Sequence, residues 1–227
     1  MLTLRSITDS KDPALERFGQ VQNAVYAEPD MLIPASMFGR LIEWSVPERP
    51  NFILVAEDGG EVLGGAVFHL FRDVGTGFSS FMGVAKAAQG HGVSSALHRS
   101  RWQTLERALG REPEGLFIDV VNPQRLSAAE LEAEAKVGSS PVKRRAIFAH
   151  LGFRQVGVKY EQPTDPPVTN MDLLFYRPSK PSSIPTQLVT DTMTTYWQPW
   201  LGETRAARAA AGLRAQAGGD TVNLIDP

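Results

Sequence analysis

Cysteine is absent from the 227 residues, and with it go disulfides, zinc–thiolate sites and thiol nucleophiles. No charge of one sign is in surplus either: 23 basic residues face 25 acidic ones, a formal net charge of −2. A nucleic-acid-binding chain normally carries a basic excess on one face, so that class is disfavoured. No apolar run approaches the roughly 20 residues that cross a bilayer. The opening Met1-Leu-Thr-Leu-Arg5 has no apolar core of the signal-peptide kind. These absences predict a cytoplasmic protein with neither nucleic acid nor membrane among its partners. No internal repeat is present. Hydrophobic residues make up 42% and charged residues 21%, enough for one generous domain, or for a domain of roughly 180 residues with an appendage.

Along the chain, Leu2 to Ile7 alternates and predicts a short strand. Asp12-Pro13 suits a helix start, since Asp caps and Pro is tolerated in the first turn. Ala14 to Tyr26 follows as a helix with Leu15, Phe18, Val21, Val25 and Tyr26 inward, and Ile33 to Trp44 reads as a second helix. Phe52 to Ala56 and Val62 to Phe71 flank Asp58-Gly-Gly60, the signature of an antiparallel hairpin. After a turn at Gly75-Thr-Gly77, Phe78 to Val84 supplies another strand. Val93 to Leu109 is an amphipathic helix that Gly110 can end. Gly115 to Val121 is a buried strand with one internal charge, Asp119. Ser127 to Val137 predicts a short exposed helix, and Val142 to Leu151 another that stops at Gly152. Phe153 to Tyr160 and Met171 to Tyr176 are the last strands, separated by a segment with Pro163, Pro166 and Pro167.

Beyond Arg177 the character changes. Pro178 to Pro185 reads as a linker, and an Ala/Arg-rich helical tail runs to about Ala217. The expected division is therefore 1–177 as the main domain and 178–227 as a linker with a helical extension. Tyr196, Trp197 and Trp200 lie in that extension and need a cover. They either pack back on their own domain or make a homodimer contact.

The most informative segment is Val84-Ala-Lys-Ala-Ala-Gln-Gly-His-Gly-Val-Ser-Ser-Ala-Leu97. A strand ends, a glycine-punctuated loop follows, and a helix begins near Val93. Amides from Gly90 to Ser95 then lack intrahelical acceptors, and the helix dipole adds positive charge, which together suit a pyrophosphate. Gly90 and Gly92 let backbone approach phosphate without a Cβ in the way. Ser94 and Ser95 can add hydroxyl donors. An ordinary strand-to-helix turn is the competing reading. A Rossmann fingerprint wants a third glycine where Ser95 stands, and a Walker loop wants Lys before the hydroxyl residue, where this loop has Val93. Neither fits.

Gln89-Gly-His-Gly-Val-Ser94 resembles the Gln/Arg-x-x-Gly-x-Gly/Ala signature of the GNAT acetyltransferases, with Ser94 as a mild departure at the last small position. Met82-Gly-Val84 falls where that family's fourth strand splays. Phe148-Ala-His-Leu-Gly-Phe-Arg154 resembles the family's Tyr-Glu-Lys-Leu-Gly-Phe-Arg, and Asn122 follows the buried strand where an asparagine is common. The resemblance implies an α+β GNAT acyltransferase fold: a central, mixed, mostly antiparallel sheet flanked by helices, here with a C-terminal helical extension. It implies acetyl-CoA as cosubstrate, no metal, and an amine acceptor, either a small molecule or an amino terminus. The expected CoA contacts are Met82, Val84, Gln89, Gly90, His91, Gly92, Val93, Ser94, Ser95 and Asn122.

The mechanism implied by the family is direct attack of the amine on the thioester. It needs a base, an oxyanion donor and an acid for the departing thiolate. The Val84 amide is the expected oxyanion donor. The family's tyrosine position holds Phe148, which donates no proton, so Tyr160 is the substitute acid, with water as the alternative. No base stands out; His69 and Glu161 are candidates, each also readable as structural. Glu130, Glu132 and Glu134 form either a solvated face or an entrance for a cationic amine. Two rivals remain: an acyl-CoA-binding protein without turnover, and a dinucleotide-dependent enzyme.

Overall fold

The computed structural model describes residues 1–26 and 33–227. Packing divides them into two compact units. One comprises Met1–Leu70, Ser79–Glu112 and Ala128–Ser140; the other comprises Phe71–Phe78, Pro113–Ser127 and Pro141–Pro227.

The first unit carries β1 (Thr3–Ile7), α1 (Ala14–Val25), α2 (Phe38–Glu43), β2 (Asn51–Asp58) and β3 (Glu61–Phe71). It also holds the latter part of β4 (Thr76–Val84), α3 (Val93–Leu109) and α4 (Ala128–Lys136). β1 pairs antiparallel with β2, and β2 with β3 around Gly59-Gly60, where Asp58 lies opposite Glu61. α1 starts where expected, with the Ala14 amide donated to Asp12 Oδ1 at 2.9 Å. Its apolar stripe buries Leu15, Phe18, Val21 and Val25. Phe18 packs on Phe38 and Phe81, with ring centroids 5.1 and 5.4 Å away. Each such ring contributes about 1.5–3 kcal/mol by leaving water. Gly65 on β3 makes room for it, since a Cβ there would stand 2.6 Å from Phe18 Cε2.

The second helix is shorter than the expected 33–44. A 3₁₀ turn at Ala35–Met37 precedes α2. Pro34 is the cause: it disfavours helical backbone at Ile33, and its own ψ of 137° is extended. α3 spans the predicted residues, and the Gly110 amide closes its end on the Glu106 carbonyl at 2.8 Å.

The second unit holds the first residues of β4, β5 (Gly115–Val121), α5 (Pro141–His150), β6 (Arg154–Val156) and β7 (Met171–Tyr176). β8 (Ser183–Pro185), α6 (Thr186–Leu201), α7 (Glu203–Ala217) and β9 (Thr221–Ile225) complete it. Thr76–Phe78 runs parallel to Gly115–Phe117, and the pairs β5–β7, β7–β6, β6–β9 and β9–β8 are all antiparallel. This is the expected α+β class with mixed, mostly antiparallel pairing.

Two sequence expectations are corrected here. The strand foreseen over Phe153 to Tyr160 is only β6, because the Gly157 amide bonds to the Asn223 carbonyl and Val158 turns back on the Val156 carbonyl. The expected linker ends as β8, paired with an unforeseen β9. β8 tolerates Pro185 because it pairs on one side only, against β9. The helical tail is present as α6 and α7. Trp197 is fully buried and stacks near Tyr160, while the Tyr196 ring lies 3.6 Å from that of Phe78. Those two aromatics therefore pack within their own unit, whereas Trp200 is 44% exposed. No described helix is long and apolar enough to cross a membrane.

Candidate functional site

The loop between β4 and α3 has the backbone that its glycines permit. Gly90 and Gly92 stand at φ 81° and 78°, in the left-handed region, and nothing lies within 4 Å of a Cβ built on either. Gly92 is also the residue that caps α3, and it offers no side chain to do so. The first bond of the helix runs from the Ala96 amide to the Gly92 carbonyl at 3.0 Å. The amides of Gly90 through Ser95 have no acceptor among the described residues. A run of unpaired donors at a helix start is stable in water and is a ready anion site.

Other expected contacts take more specific places. Gln89 donates from Nε2 to the Val84 carbonyl at 3.2 Å and so ties the loop to the strand end. His91 is exposed, with Nδ1 donating to the Gln89 carbonyl at 3.0 Å. Val93 has its side chain buried, so only its amide can meet a ligand. Ser94, Ser95 and Met82 are half-buried, and Val84 is buried at the end of β4.

The same unit buries polar side chains around His69 and around Arg101. His69 bridges Asn51 Oδ1, 2.7 Å from Nδ1, and Ser80 Oγ, 2.8 Å from Nε2. Burial, then the charge of Arg49, pushes its ring down to about 3. His69 is therefore neutral at working pH. On α3, fully buried Arg101 donates to Ser79 Oγ and to His98 Nδ1. His98 is likewise pushed down to about 3, by burial and by Arg101 and Arg99.

In the second unit, Tyr160 is fully buried and donates its hydroxyl to Asp119 Oδ2 at 2.9 Å. Desolvation raises the Asp119 carboxyl to about 6, partly offset by that hydrogen bond. The Tyr160 hydroxyl is raised well above its ordinary value by burial and by the Asp119 charge. Asn122 donates from Nδ2 to Asp172 at 2.9 Å and accepts the Gln124 amide at 3.0 Å. Buried Asp172 also receives Arg125 and Arg145. Phe148 is buried against Phe153, with no hydroxyl to offer. Lys159 pairs with Glu161 at 2.6 Å; in the first unit, Lys136 pairs with Glu132 at 3.0 Å on the exposed face of α4.

Sequence reasoning missed two groupings. One is the partnership of Asp119 with Tyr160; the only cue was a lone charge inside an apolar strand. The other is the chain Asn51–His69–Ser80, for which only the β2–β3 register, with Asn51 opposite His69, would have been a cue.

Residues 19–131 match the family model described as Acetyltransferase (GNAT) family. None of the curated proteins matches the sequence. Among solved structures, the chain is similar to the ribosomal-protein-S18-alanine N-acetyltransferase from Escherichia coli. That match has 18% identity and a TM-score of 0.50, over 77% of this chain and 92% of that one. A probable acetyltransferase from Staphylococcus epidermidis matches at 10% identity and TM-score 0.53, over 78% and 98%. A tandem GNAT protein from the clavulanic acid biosynthesis pathway matches at 14% identity and TM-score 0.53, over 96% of this chain and 67% of that one. At such identities the likeness is one of fold.

Proposed function

Because the chain belongs to the GNAT acetyltransferase family, we propose that it is an N-acetyltransferase. It moves the acetyl group of acetyl-CoA to an amine, a small molecule or an amino terminus, by direct attack in a ternary complex. The observation that carries this reading is the row of unpaired amides from Gly90 to Ser95, beside two open, left-handed glycines. These donors suit a pyrophosphate by charge and by clearance. Ser94 and Ser95 add hydroxyls, and exposed His91 adds a contact to a phosphate. Gln89 holds the loop to the strand, and Met82 and Val84 meet the pantetheine arm through their backbone. Asn122 contributes its second Nδ2 proton, which has no partner among the described residues.

The Val84 amide serves as oxyanion donor in this reading. Proton handling falls to Asp119 and Tyr160. With a carboxyl near 6, Asp119 is ionised at pH 7.5 and is matched to removing a proton near neutrality. Tyr160 protonates the departing thiolate and is restored through its hydrogen bond with Asp119. Residues 1–177 carry the chemistry and 178–227 extend them, with exposed Trp200 as the point through which a homodimer forms. The reading places the protein in the cytoplasm.

The test is release of free CoA thiol from acetyl-CoA against a panel of amines. The expected result is amine-dependent release, lowered about 10²-fold by Tyr160→Phe with acetyl-CoA affinity unchanged. Stabilisation by acetyl-CoA without turnover on any amine would instead identify a binding protein.

A further inference from the structure

The hydrogen bonds around His69 have a fixed direction. Asn51 donates from Nδ2 to the Leu41 carbonyl at 2.8 Å, which leaves Oδ1 as the acceptor facing His69. His69 must then carry its proton on Nδ1, since the ring is neutral. Its Nε2 is left as a lone pair 2.8 Å from Ser80 Oγ, so Ser80 is the donor in that contact. A hydroxyl on a neutral imidazole whose far nitrogen is held by a third side chain is the arrangement of an activated nucleophile. The sheet register supports it, because Asn51 and His69 are direct cross-strand partners. Ser80 is half-buried, whereas its neighbour Ser79 is fully buried against Arg101.

We propose that Ser80 is an acyl-accepting nucleophile, with His69 as its base and Asn51 holding the ring. The natural donor is an acyl thioester, a choice that rests on the acetyl-CoA reading; the nucleophile itself does not. A bond forms between Ser80 Oγ and the carbonyl carbon while the carbon–sulfur bond breaks. The Ser80 proton passes to His69 Nε2 and from there to the thiolate. The products are an O-acyl serine and a free thiol, with no change of oxidation state. Desolvation of His69 makes it a weak base, so acylation is slow compared with an enzyme whose histidine is backed by a carboxylate.

The test uses the full chain and a fluorophosphonate, a probe that does not depend on CoA. The P–F bond breaks, an O–P bond forms at serine, and peptide mass mapping locates the adduct. The expected adduct is on Ser80 and is lost in Ser80→Ala. Asn51→Asp should accelerate labelling about tenfold or more, because a carboxylate stabilises the imidazolium that forms; structural damage alone would not speed a reaction. An unlabelled Ser80, or labelling spread evenly over other hydroxyls, overturns the proposal. Thermal melts with CoA on the same samples separate the two readings. A protein that CoA stabilises but the probe does not label loses only this nucleophile. One labelled at Ser80 and indifferent to CoA loses only the acetyl-transfer reading.

Discussion

At Gly92 the backbone holds φ 78° with open space where a side chain would stand. A β-branched residue costs about 1–2 kcal/mol in that conformation, and its methyl groups would fill the approach to the loop amides. Gly92→Val is therefore expected to weaken CoA binding at least about tenfold by calorimetry, with the fold retained; unchanged affinity would reduce the loop to a turn. Asp119 gives a pH signature. Its folded value, about 6, lies above the ordinary carboxylate value of about 3.9. Between those values the folded chain holds a proton that the unfolded chain has released, so stability falls as pH rises from about 4 to 6 and then levels. Asp119→Asn keeps an acceptor for Tyr160 and removes the titration. Relative to wild type it should gain about 2–3 kcal/mol between pH 4 and 7 in denaturant titrations. A constant difference across that range would contradict the burial of this carboxyl.

α3, β5 and β7 follow the expected bounds because their signals are local: a glycine-marked start and stop, or an apolar run between turns. β8 and β9 escaped because a three-residue edge strand exists only through its partner, and that partner lies some forty residues later, Ser183 opposite Asn223. The same limit applies to the site. The glycine loop is legible as a continuous pattern, whereas Asp119–Tyr160 and Asn51–His69–Ser80 are assembled by strand register and non-local packing. In α6 the fully buried Trp197 packs in one core with Tyr160, Leu173 and Leu224. Trp197→Ala should cost about 3–5 kcal/mol in chemical denaturation. Trp200→Ala, at a position exposed in the single chain, should stay within about 0.5 kcal/mol where the chain is monomeric, and its cost should rise with protein concentration as the proposed homodimer buries the ring. A cost that does not change with concentration would contradict the homodimer contact.

On the scale of the whole molecule, each unit has its own core, Phe18, Phe38 and Phe81 in the first and Tyr160 with Trp197 in the second. The family match at residues 19–131 includes β4, the glycine loop and α3. In the proposed function, this loop makes the folded chain an acetyl-CoA-binding protein. A ligand that binds only the folded state at a hundred times its Kd adds about 2.7 kcal/mol, which for a chain of this size is about 5–10 °C. The most direct measurement is the thermal melt of the full chain with and without millimolar acetyl-CoA. A rise of that order, nearly matched by CoA and lost in Gly92→Val, is the predicted result; a melt that acetyl-CoA leaves unmoved would contradict the account.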